Sequence, residues 1–415
     1  MANSAQPQHA RARQHLLDFF AAGVNAVKGD AAVVRYFATA PKPERCHAIA
    51  IGKAASAMMH GAFQSLPDAI ESALLITKHD HFDTALNDSG VPLQAIESSH
   101  PVPGDDSVNA GQRLLAFIDS TPADAHLLFL ISGGTSSLVE VLPEGMTLSD
   151  LQSLNDQLLA TGMDIGDMNR VRKSVSRIKG GRLAGYLGAR TATCLLVSDV
   201  PGDKLADIGS GPLIRESANV PDSLPESLKP FVQPALNDAV SSDVWSRIDC
   251  HIVASLAHAK AAAKDAARAA GFTVDVDDSF LDGDASKAGL RVAEELQTAA
   301  PGVMIWGGET TMVLPDNPGR GGRNQHLALA AAQAIAGQDG YYLLCAGTDG
   351  SDGPTRDAGG LVDGNTVERG SVAGVSALAA MHAADSGNFL AAADALVTTG
   401  PTGTNVMDLV IGLKL

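Results

Sequence analysis

Short apolar runs that end at a glycine turn and continue into a helical pattern recur along this chain. The first, CHAIAIG at residues 46–52, leads into KAASAMMHGAFQSL, whose small and apolar residues have helical spacing. Strand, glycine turn and helix together form half of a βαβ unit. Continuous apolar strands that alternate with helices indicate a parallel sheet covered on both faces. The pattern therefore predicts a doubly wound α/β fold for the amino-terminal part.

The alternation extends over a chain of 415 residues. This length exceeds that of a domain built around a single hydrophobic core. Further strand candidates are 73–77, 93–97, 126–131, 193–198, 250–254, 272–276, 303–306, 341–345 and 409–413, with helical periodicity at 11–40, 257–270, 285–299 and from Asn324. Between Asn219 and Val240, four prolines without periodicity indicate a linker, a flap or a boundary. We predict two α/β domains, residues 1–245 and 246–415, with the final apolar run able to pair in either.

Charge and composition argue against two classes of partner. A formal net charge of −17, from 30 basic and 47 acidic residues, would repel nucleic acid and anionic membranes unless basic residues shared one face. Aromatic residues make up 4%, so stacking surfaces for single strands are few. No apolar run approaches the ~20 residues that cross a bilayer, and the amino terminus lacks a signal-peptide core. We expect a cytoplasmic protein that binds neither membrane nor nucleic acid.

The cysteines agree with a reducing compartment. Cys46, Cys194, Cys250 and Cys345 lie in or beside apolar runs, and none has the spacing of a metal site. They are therefore predicted to be buried thiols.

A lysine follows the first predicted strand directly, and open α/β sheets bind ligands at the carboxyl ends of their strands. Lys53, in IGKAAS, opposes the dipole of the helix it precedes, which favours a functional role over a lysine that only reaches solvent. The stretch is not a P-loop, because His47 replaces a glycine and Ala54 replaces the serine or threonine.

Glycines and hydroxyls follow the strand at 126–131, in ISGGTSSLVEVLPEG. Small residues with hydroxyls and free N–H groups suit an anion, although a plain strand-to-helix turn has the same composition. Leu130 occupies the first glycine position of a GxSxG elbow, so no serine nucleophile is predicted.

Acidic residues follow two later strands. Asp199, in LLVSDVPGD, could hold Mg²⁺, accept a substrate proton or cap its own turn. Asp349, Asp352 and Asp357 lie among glycines in AGTDGSDGPTRDAGG, which suits a divalent ion, polyol hydroxyls or a solvated turn. The glutamate that ends an EF-hand loop is missing.

One basic block interrupts this acidic protein, MNRVRKSVSRIKGGRLAG at 168–185. At helical spacing Arg170, Lys173 and Arg177 share a face, which either gathers phosphates or faces solvent.

The stretch Gly307–Gln325 joins GGETT, a Pro/Asp/Asn turn and two arginines, Arg320 and Arg323, at the start of an Ala/Leu-rich helix. Free N–H groups and the helix dipole favour an anion there, although an ordinary capped helix would look similar. With TGPTGTN at 399–405, six such loops follow strand ends. Their glycines, hydroxyls, cations and acids together favour phosphoryl transfer, in which positioning and electrostatics dominate catalysis.

The assembled motifs resemble the class II glycerate kinases, whose carboxyl-terminal half is called the MOFRL domain and whose members are often labelled hydroxypyruvate reductases. The similarity runs in family order through IGKAASAM, SSHPVPGDDS, LISGGTSSL, VRKSVSRIKGGRLA, SDVPGD, GSGP, GGETT, GRGGRNQ, AGTDGSDGPT and TGPTGTNVMDL. It implies a Rossmann-like domain, a smaller α/β domain of MOFRL type and a cleft between them. The implied reaction is ATP-dependent phosphorylation of D-glycerate at the 2-hydroxyl.

The resemblance also implies roles for single residues. Lys53 and Arg323 are the leading catalytic candidates, which would neutralise the glycerate carboxylate and the transferring phosphoryl group while Mg²⁺ bridges nucleotide phosphates. Asp199 is the candidate general base, and Asp199, Asp349 and Asp352 are candidate metal ligands. The candidate substrate- or nucleotide-binding residues are Ser132, Gly133, Gly134, Ser136, Arg172, Lys179, Glu309, Thr310, Asn324, Gln325, Thr348 and Asn405.

Departures from the family pattern concern loop shape and substrate preference. The chain has GGTSS where a third glycine is expected, GSGPL where IASGPT is usual, and His326 after GRNQ where an acid is commoner.

An NAD(P)H-dependent hydroxypyruvate reductase is the alternative enzyme, but no GxGxxG occurs. A non-catalytic sugar-acid binding protein is the alternative outside enzymology, and both monomer and dimer remain open.

Overall fold

The chain forms two compact units in the computed structural model, which describes residues 5–161, 163, 165–216, 224–232 and 240–415. Residues 28–253 form the first unit, and residues 254–415 form the second together with the amino-terminal helix α1 (Ala5–Val27). The predicted division at residue 245 therefore differs from the structure for two segments of the chain. Residues up to 27 belong with the second unit, and residues 246–253 belong with the first.

The first unit is a Rossmann-like domain around a six-stranded sheet. Its elements are α2 (Gly29–Phe37), β1 (Cys46–Ile51), α3 (Ala55–Ser65), β2 (Ile70–Lys78), β3 (Leu93–Ser98), α4 (Asp105–Ser120), β4 (His126–Ile131), α5 (Thr135–Leu138), α6 (Leu148–Ala160), α7 (Ile165–Ser174), β5 (Thr191–Val197) and β6 (Ile248–Ala254). The strand order is β3-β2-β1-β4-β5-β6, and β1 runs parallel to both β2 and β4. This is the order of doubly wound dinucleotide-binding folds, whose switch point lies between β1 and β4.

The apolar runs form this sheet because helices cover both of its faces. Every residue of β1 is buried, and Ile49 lies between Leu74 and Phe129 in register. Leu114 and Phe117 of α4 pack in the same core as Phe129. The predicted parallel sheet is confirmed, whereas assigning residues 250–254 to the second domain was wrong, since β6 is an edge strand of the first sheet.

The second unit contains a mixed sheet in the order β11-β10-β9-β12-β8-β7. Its elements after α1 are α8 (Leu256–Ala269), β7 (Val274–Val276), α9 (Ala285–Thr298), β8 (Gly302–Gly308), α10 (Arg323–Ala334), β9 (Tyr341–Gly347), β10 (Gly359–Asp363), α11 (Thr366–Val372), α12 (Ala377–His382), α13 (Ser386–Ala392), β11 (Leu396–Val397) and β12 (Asp408–Lys414). Only the β7–β8 pair is parallel among the described pairs. The final apolar run, β12, lies between β8 and β9 and so pairs within the second unit.

Helix α1 is held in the second unit by a buried carboxylate and by apolar packing. Arg13 donates to Asp363 Oδ2 (3.3 Å) and to the carbonyl oxygen of Leu361 (3.1 Å). Arg369 forms a bidentate pair with the same carboxylate. Burial alone raises the pKa of Asp363, but Arg369 holds it below its usual value. Gly23 lets α1 approach α8, since a Cβ there would lie 3.0 Å from the Ala259 carbonyl oxygen.

The proline-rich stretch Asn219–Val240 falls largely on residues 217–223 and 233–239, outside the described residues. In the described part, Leu228 is buried against Leu154 and Leu158 of α6, so this part packs on the first unit. Cys46, Cys194 and Cys345 are buried and Cys250 is half-buried, all as free thiols. Among the described helices, none combines the length and apolarity that a membrane span requires.

Candidate active site

The loops that follow β1 and β4 are tied together at the switch point of the first sheet. The Lys53 N–H donates to the Gly133 carbonyl oxygen (2.9 Å), and the Ser132 hydroxyl accepts the Ala54 N–H (3.0 Å). Gly52 has a φ of +128°, and a Cβ on it would lie 2.2 Å from Ser132 Oγ, so only glycine fits. Ser132, a candidate binding residue, is buried and holds this turn in place.

The Lys53 side chain lies beside an imidazole. A Cβ placed on Gly134 would lie 3.3 Å from Lys53 Cγ and 3.2 Å from His100 Cδ2. Burial, followed by the positive charges of Lys53 and Lys78, lowers the pKa of His100 to about 4. The structure therefore holds a neutral imidazole next to the lysine at neutral pH.

The Asp199 carboxylate adjoins the same loop. A Cβ on Gly133 would lie 1.9 Å from Asp199 Oδ2, so the carboxylate occupies the space that this glycine leaves open. Burial raises the pKa of Asp199, and the Lys53 charge offsets part of that rise. A carboxylate with a raised pKa is a stronger proton acceptor than an exposed one.

A cavity of about 460 Å³ opens at this edge of the sheet. Five of the candidate residues line it, namely Gly134, Ser136, Arg172, Lys179 and Asp199. A larger cavity of about 560 Å³ is lined by His47 and His126, which lie at the opposite, amino-terminal ends of β1 and β4. Ligands of such sheets bind at the carboxyl ends, so we assign the candidate site to the smaller cavity.

The two candidate cations on the wall of this cavity differ in their partners. Arg172 donates to the amide oxygens of Asn155 (3.0 Å) and Asn169 (3.3 Å), and no carboxylate of the described residues pairs with it. Burial lowers the pKa of Arg172. Lys179 instead pairs with the fully buried Glu140 at 2.5 Å. The charge of Lys179 is therefore matched within the fold, while that of Arg172 is available to a ligand.

The basic block does not form the shared face that helical spacing predicts. Helix α7 ends at Ser174, so Arg177 lies beyond it. Lys173 is buried and pairs with Glu216 (2.8 Å), and Arg170 pairs with Asp167. The predicted shared face is therefore wrong for Lys173, which is buried and neutralised by an acid, whereas Arg170 and Arg177 are exposed to solvent.

Ser136 contacts a strained neighbour. Its hydroxyl lies 2.8 Å from Ser210 Oγ, and Ser210 has a φ of +63° within the GSGP loop. Non-glycine residues with positive φ often mark functional loops. Both residues line the cavity.

In the second unit Arg323 is clamped between two carboxylates. Its Nε and Nη2 donate to Asp408 (2.8 and 3.2 Å), and its Nη1 lies 3.0 Å from Glu309 Oε1. Burial alone lowers the pKa of Arg323, but hydrogen bonds to Asp408 and the nearby acids raise it above its ordinary value. A guanidinium has five N–H donors, so some remain for a ligand.

The start of α10 already holds an internal anion. The Asp352 carboxylate accepts the backbone N–H groups of Asn324 (3.0 Å) and Gln325 (2.7 Å). Burial, only partly offset by these bonds, raises the pKa of Asp352 to about 6. The anion predicted at this helix start is thus a residue of the chain itself, and both oxygens of a candidate metal ligand are engaged.

The remaining candidates of the second unit have mainly local partners. Asp349 Oδ1 accepts the N–H and hydroxyl of Ser351, as a capped turn would. Thr348 donates to the Met407 carbonyl oxygen, and Asn405 Oδ1 accepts the Met407 N–H. Three buried atoms of candidate residues, Thr310 Oγ1, Asn324 Oδ1 and Gln325 Oε1, have no partner within the described part of the chain. The described residues contain no cluster of three or more His, Cys, Asp or Glu side chains suited to a metal ion.

Sequence reasoning missed four residues of these sites. His100 and Ser210 lie inside motifs that carry the resemblance but were not singled out. Glu140 and Asp408 carry a detectable signal, since each is an acid within or at the start of an apolar run. Acids are almost never fully buried unless paired, so such a position predicts a buried ion pair.

Gly133→Ala is expected to lower activity by about a hundredfold, since misplacing a reacting group by about 1 Å costs that much. The new methyl would contact the end of the Asp199 side chain, which can rotate away, so the unfolding temperature should change little. Gly185→Ala is the matched control, because its Cβ would meet Val240 at an ordinary 3.7 Å. Wild-type steady-state kinetics in Gly133→Ala would show that the position of Asp199 is unimportant.

His100 is expected to make stability depend on pH in a defined window. Because its pKa falls from 6.5 to about 4 on folding, the unfolded chain binds the extra proton between these values. The stability that a neutral His100 contributes is present above pH 6.5 and is lost as pH falls toward 4. The difference in unfolding temperature between wild type and His100→Gln should change across this window in calorimetry. Parallel curves would contradict the half-buried, neutral imidazole.

Comparisons with known proteins agree over most of the chain. Residues 15–244 match the family model of a domain of unknown function, DUF4147, and residues 302–408 match the MOFRL family. A D-glycerate 2-kinase of Thermotoga maritima is 35% identical over 383 residues, covering 89% of this chain and 91% of the relative. A protein of Agrobacterium vitis with a provisional hydroxypyruvate reductase name is 36% identical over 417 residues, covering 96% and 93%.

A solved structure agrees as well. The crystal structure of glycerate kinase from Thermotoga maritima superposes with a TM-score of 0.85 at 33% identity, covering 98% of this chain and all of that one (100%). Since both the sequence relatives and this structure span nearly the whole chain, the protein belongs to the family of glycerate 2-kinases that carry a MOFRL domain.

Proposed function

We propose that this protein transfers the terminal phosphoryl group of ATP to the 2-hydroxyl of D-glycerate and releases 2-phosphoglycerate and ADP. One observation carries the proposal. Lys53 and the half-buried Asp199, whose pKa is raised, both adjoin the Gly133–Gly134 loop at the switch point of the first sheet. The cavity beside them is lined by Arg172, which has no acidic partner among the described residues. Relatives that span the chain are named glycerate 2-kinases.

In the proposed reaction, Asp199 accepts the proton of the substrate hydroxyl as its oxygen bonds to phosphorus and the bond to ADP breaks. The Lys53 ammonium stabilises the charge on the transferring group. Gly134 lacks a side chain, so a phosphate can approach the backbone closely. Catalysis then consists of positioning and electrostatic stabilisation, as phosphoryl transfer requires.

The residues fit a magnesium ion held mainly by phosphates. Mg²⁺ in kinases uses one or two carboxylates with substrate oxygens, and when bound it neutralises the developing phosphate charge. The second oxygen of Asp349 would be available for this role. Asp199 would take it only in place of its role as the base. Asp352 is a poor candidate, because both of its oxygens accept backbone N–H groups.

The family resemblance adds that the substrates meet in a cleft between the two units, with Arg323 acting from the second. Closure of such a cleft would exclude water from the phosphoryl group. Small-angle scattering profiles that become more compact with both substrates support this part of the proposal. Identical profiles count against it.

The deciding experiment measures ADP release from Mg·ATP and D-glycerate, with phosphorus NMR of the product. A resonance of 2-phosphoglycerate supports the proposal, and one of 3-phosphoglycerate would move the transfer to the other hydroxyl. Oxidation of NADH or NADPH by hydroxypyruvate without ADP release would favour the reductase, which the strand order of the first sheet also accommodates. Glycerate binding without either reaction would favour a binding protein.

A further inference from the structure

Two exposed apolar side chains stand out in the first unit. Among its described residues, Val102 (59% exposed) and Leu159 (69%) are the large apolar side chains that face solvent. Both line the candidate cavity, although they come from different segments, one after β3 and one at the end of α6. Pro101, Pro103 and Leu151 line the same cavity. We call these five residues the apolar wall.

The same cavity also has a polar part suited to phosphates. Gly134, Ser136 and Ser137 line it, together with Arg172, which has amide partners and no acid among the described residues. Glycerate would use the polar part alone, since it has no apolar group and fills little of about 460 Å³. A ligand with a flat apolar ring and an anionic tail would use both parts.

Two amides beside the apolar wall have groups of opposite kind that no described residue hydrogen-bonds. Gln152 donates to the Pro103 carbonyl oxygen, which leaves its own oxygen as an acceptor. Asn155 accepts from Arg172, which leaves its NH₂ group as a donor. A purine base presents adjacent donor and acceptor groups along its pairing edge.

We propose that the apolar wall binds the purine base of the nucleotide, while Arg172 and the Ser136–Ser137 loop bind its phosphates. The inference rests on the proposed kinase function and deepens it by assigning the nucleotide to the first unit. Glycerate then takes the part of the site nearest Lys53 and His100.

The test separates the base from the phosphates by calorimetric binding of two probes, ADP and inorganic tripolyphosphate, to the full-length chain. The double variant Val102→Ser/Leu159→Ser is expected to weaken ADP by about tenfold or more, as loss of two apolar contacts implies. Its affinity for tripolyphosphate should stay at the wild-type value. Arg172→Met should weaken both probes.

Leu378→Ser is the matched control, since this leucine is similarly exposed (64%) but lies on α12 in the second unit. It should bind both probes as wild type does, and unfolding temperatures of all variants should agree. Wild-type ADP affinity in the double variant, or equal weakening of both probes, would overturn the inference. If wild type nevertheless forms ADP from ATP and D-glycerate, that result overturns only the assignment of the purine base to the apolar wall. If wild type forms no ADP, the proposed function fails as well.

Discussion

Lys53→Met is expected to lower the turnover number for glycerate phosphorylation by about 10²–10³-fold, the usual loss when one electrostatic stabiliser is removed. The unfolding temperature should stay nearly unchanged. No acid of the described residues lies within 4.0 Å of the Lys53 ammonium, so its removal breaks no direct ion pair. The Asp199 carboxyl, whose raised pKa the Lys53 charge partly offsets, can take up a proton instead of remaining an uncompensated charge. Methionine keeps the unbranched side chain that packs beside Gly134.

The same variant has a second readout that does not depend on turnover. The Lys53 charge contributes to the low pKa of His100, so its loss should raise that pKa from about 4 toward the ordinary value. Proton NMR of the imidazole would follow the change. Lys287→Met, at an exposed position on α9, is the control and should alter neither quantity. Wild-type turnover in Lys53→Met would remove this lysine from the mechanism.

Arg323→Ala is expected to reduce both turnover and stability. It leaves the buried Asp408 without its bidentate partner, which should cost about 3 kcal/mol in unfolding free energy. This cost lies at the lower end of the range for removing one partner of a buried ion pair, because the Arg323 side chain is 35% exposed. Turnover should fall by about a hundredfold or more if the guanidinium also stabilises the phosphoryl group. Denaturant titration and steady-state kinetics measure the two effects.

A double variant separates these two effects. Arg323→Ala with Asp408→Asn removes the unpaired charge, so much of the lost stability should return. Turnover should stay low, because the guanidinium is still absent. Recovery of turnover together with stability would show that Arg323 acts only through the fold.

The sheet strands could largely be predicted because their signal is local. Apolar runs located β1 and β4 to within one residue, and the terminal run located β12. The short strands β10 and β11 were missed, since their glycine-rich or very brief sequences resemble the turns beside them. The helix at α1 was expected, but its place in the second unit was not, because Arg13 finds its carboxylate 350 residues away.

The candidate site shows the same limit at the level of side chains. The position of Lys53 after a strand was readable, since strand ends and switch points follow from topology. The partners of Arg323 and of the α10 start were not, because Asp408 and Asp352 lie 85 and 28 residues from the groups that they bind. Long-range pairing of this kind decides which charges remain available to a ligand, and periodicity carries no information about it.

The attachment of α1 to the second unit bears on how the chain can be divided for expression. The DUF4147 match begins at residue 15, inside that helix, and ends at residue 244, before β6. A fragment cut at those limits would carry about half of α1, with the apolar face of that helix exposed to solvent. It would also lack β6, so β5 would become an unpaired edge strand. Limits drawn at residues 28 and 254 instead keep all six strands together and leave the helix with its own partners.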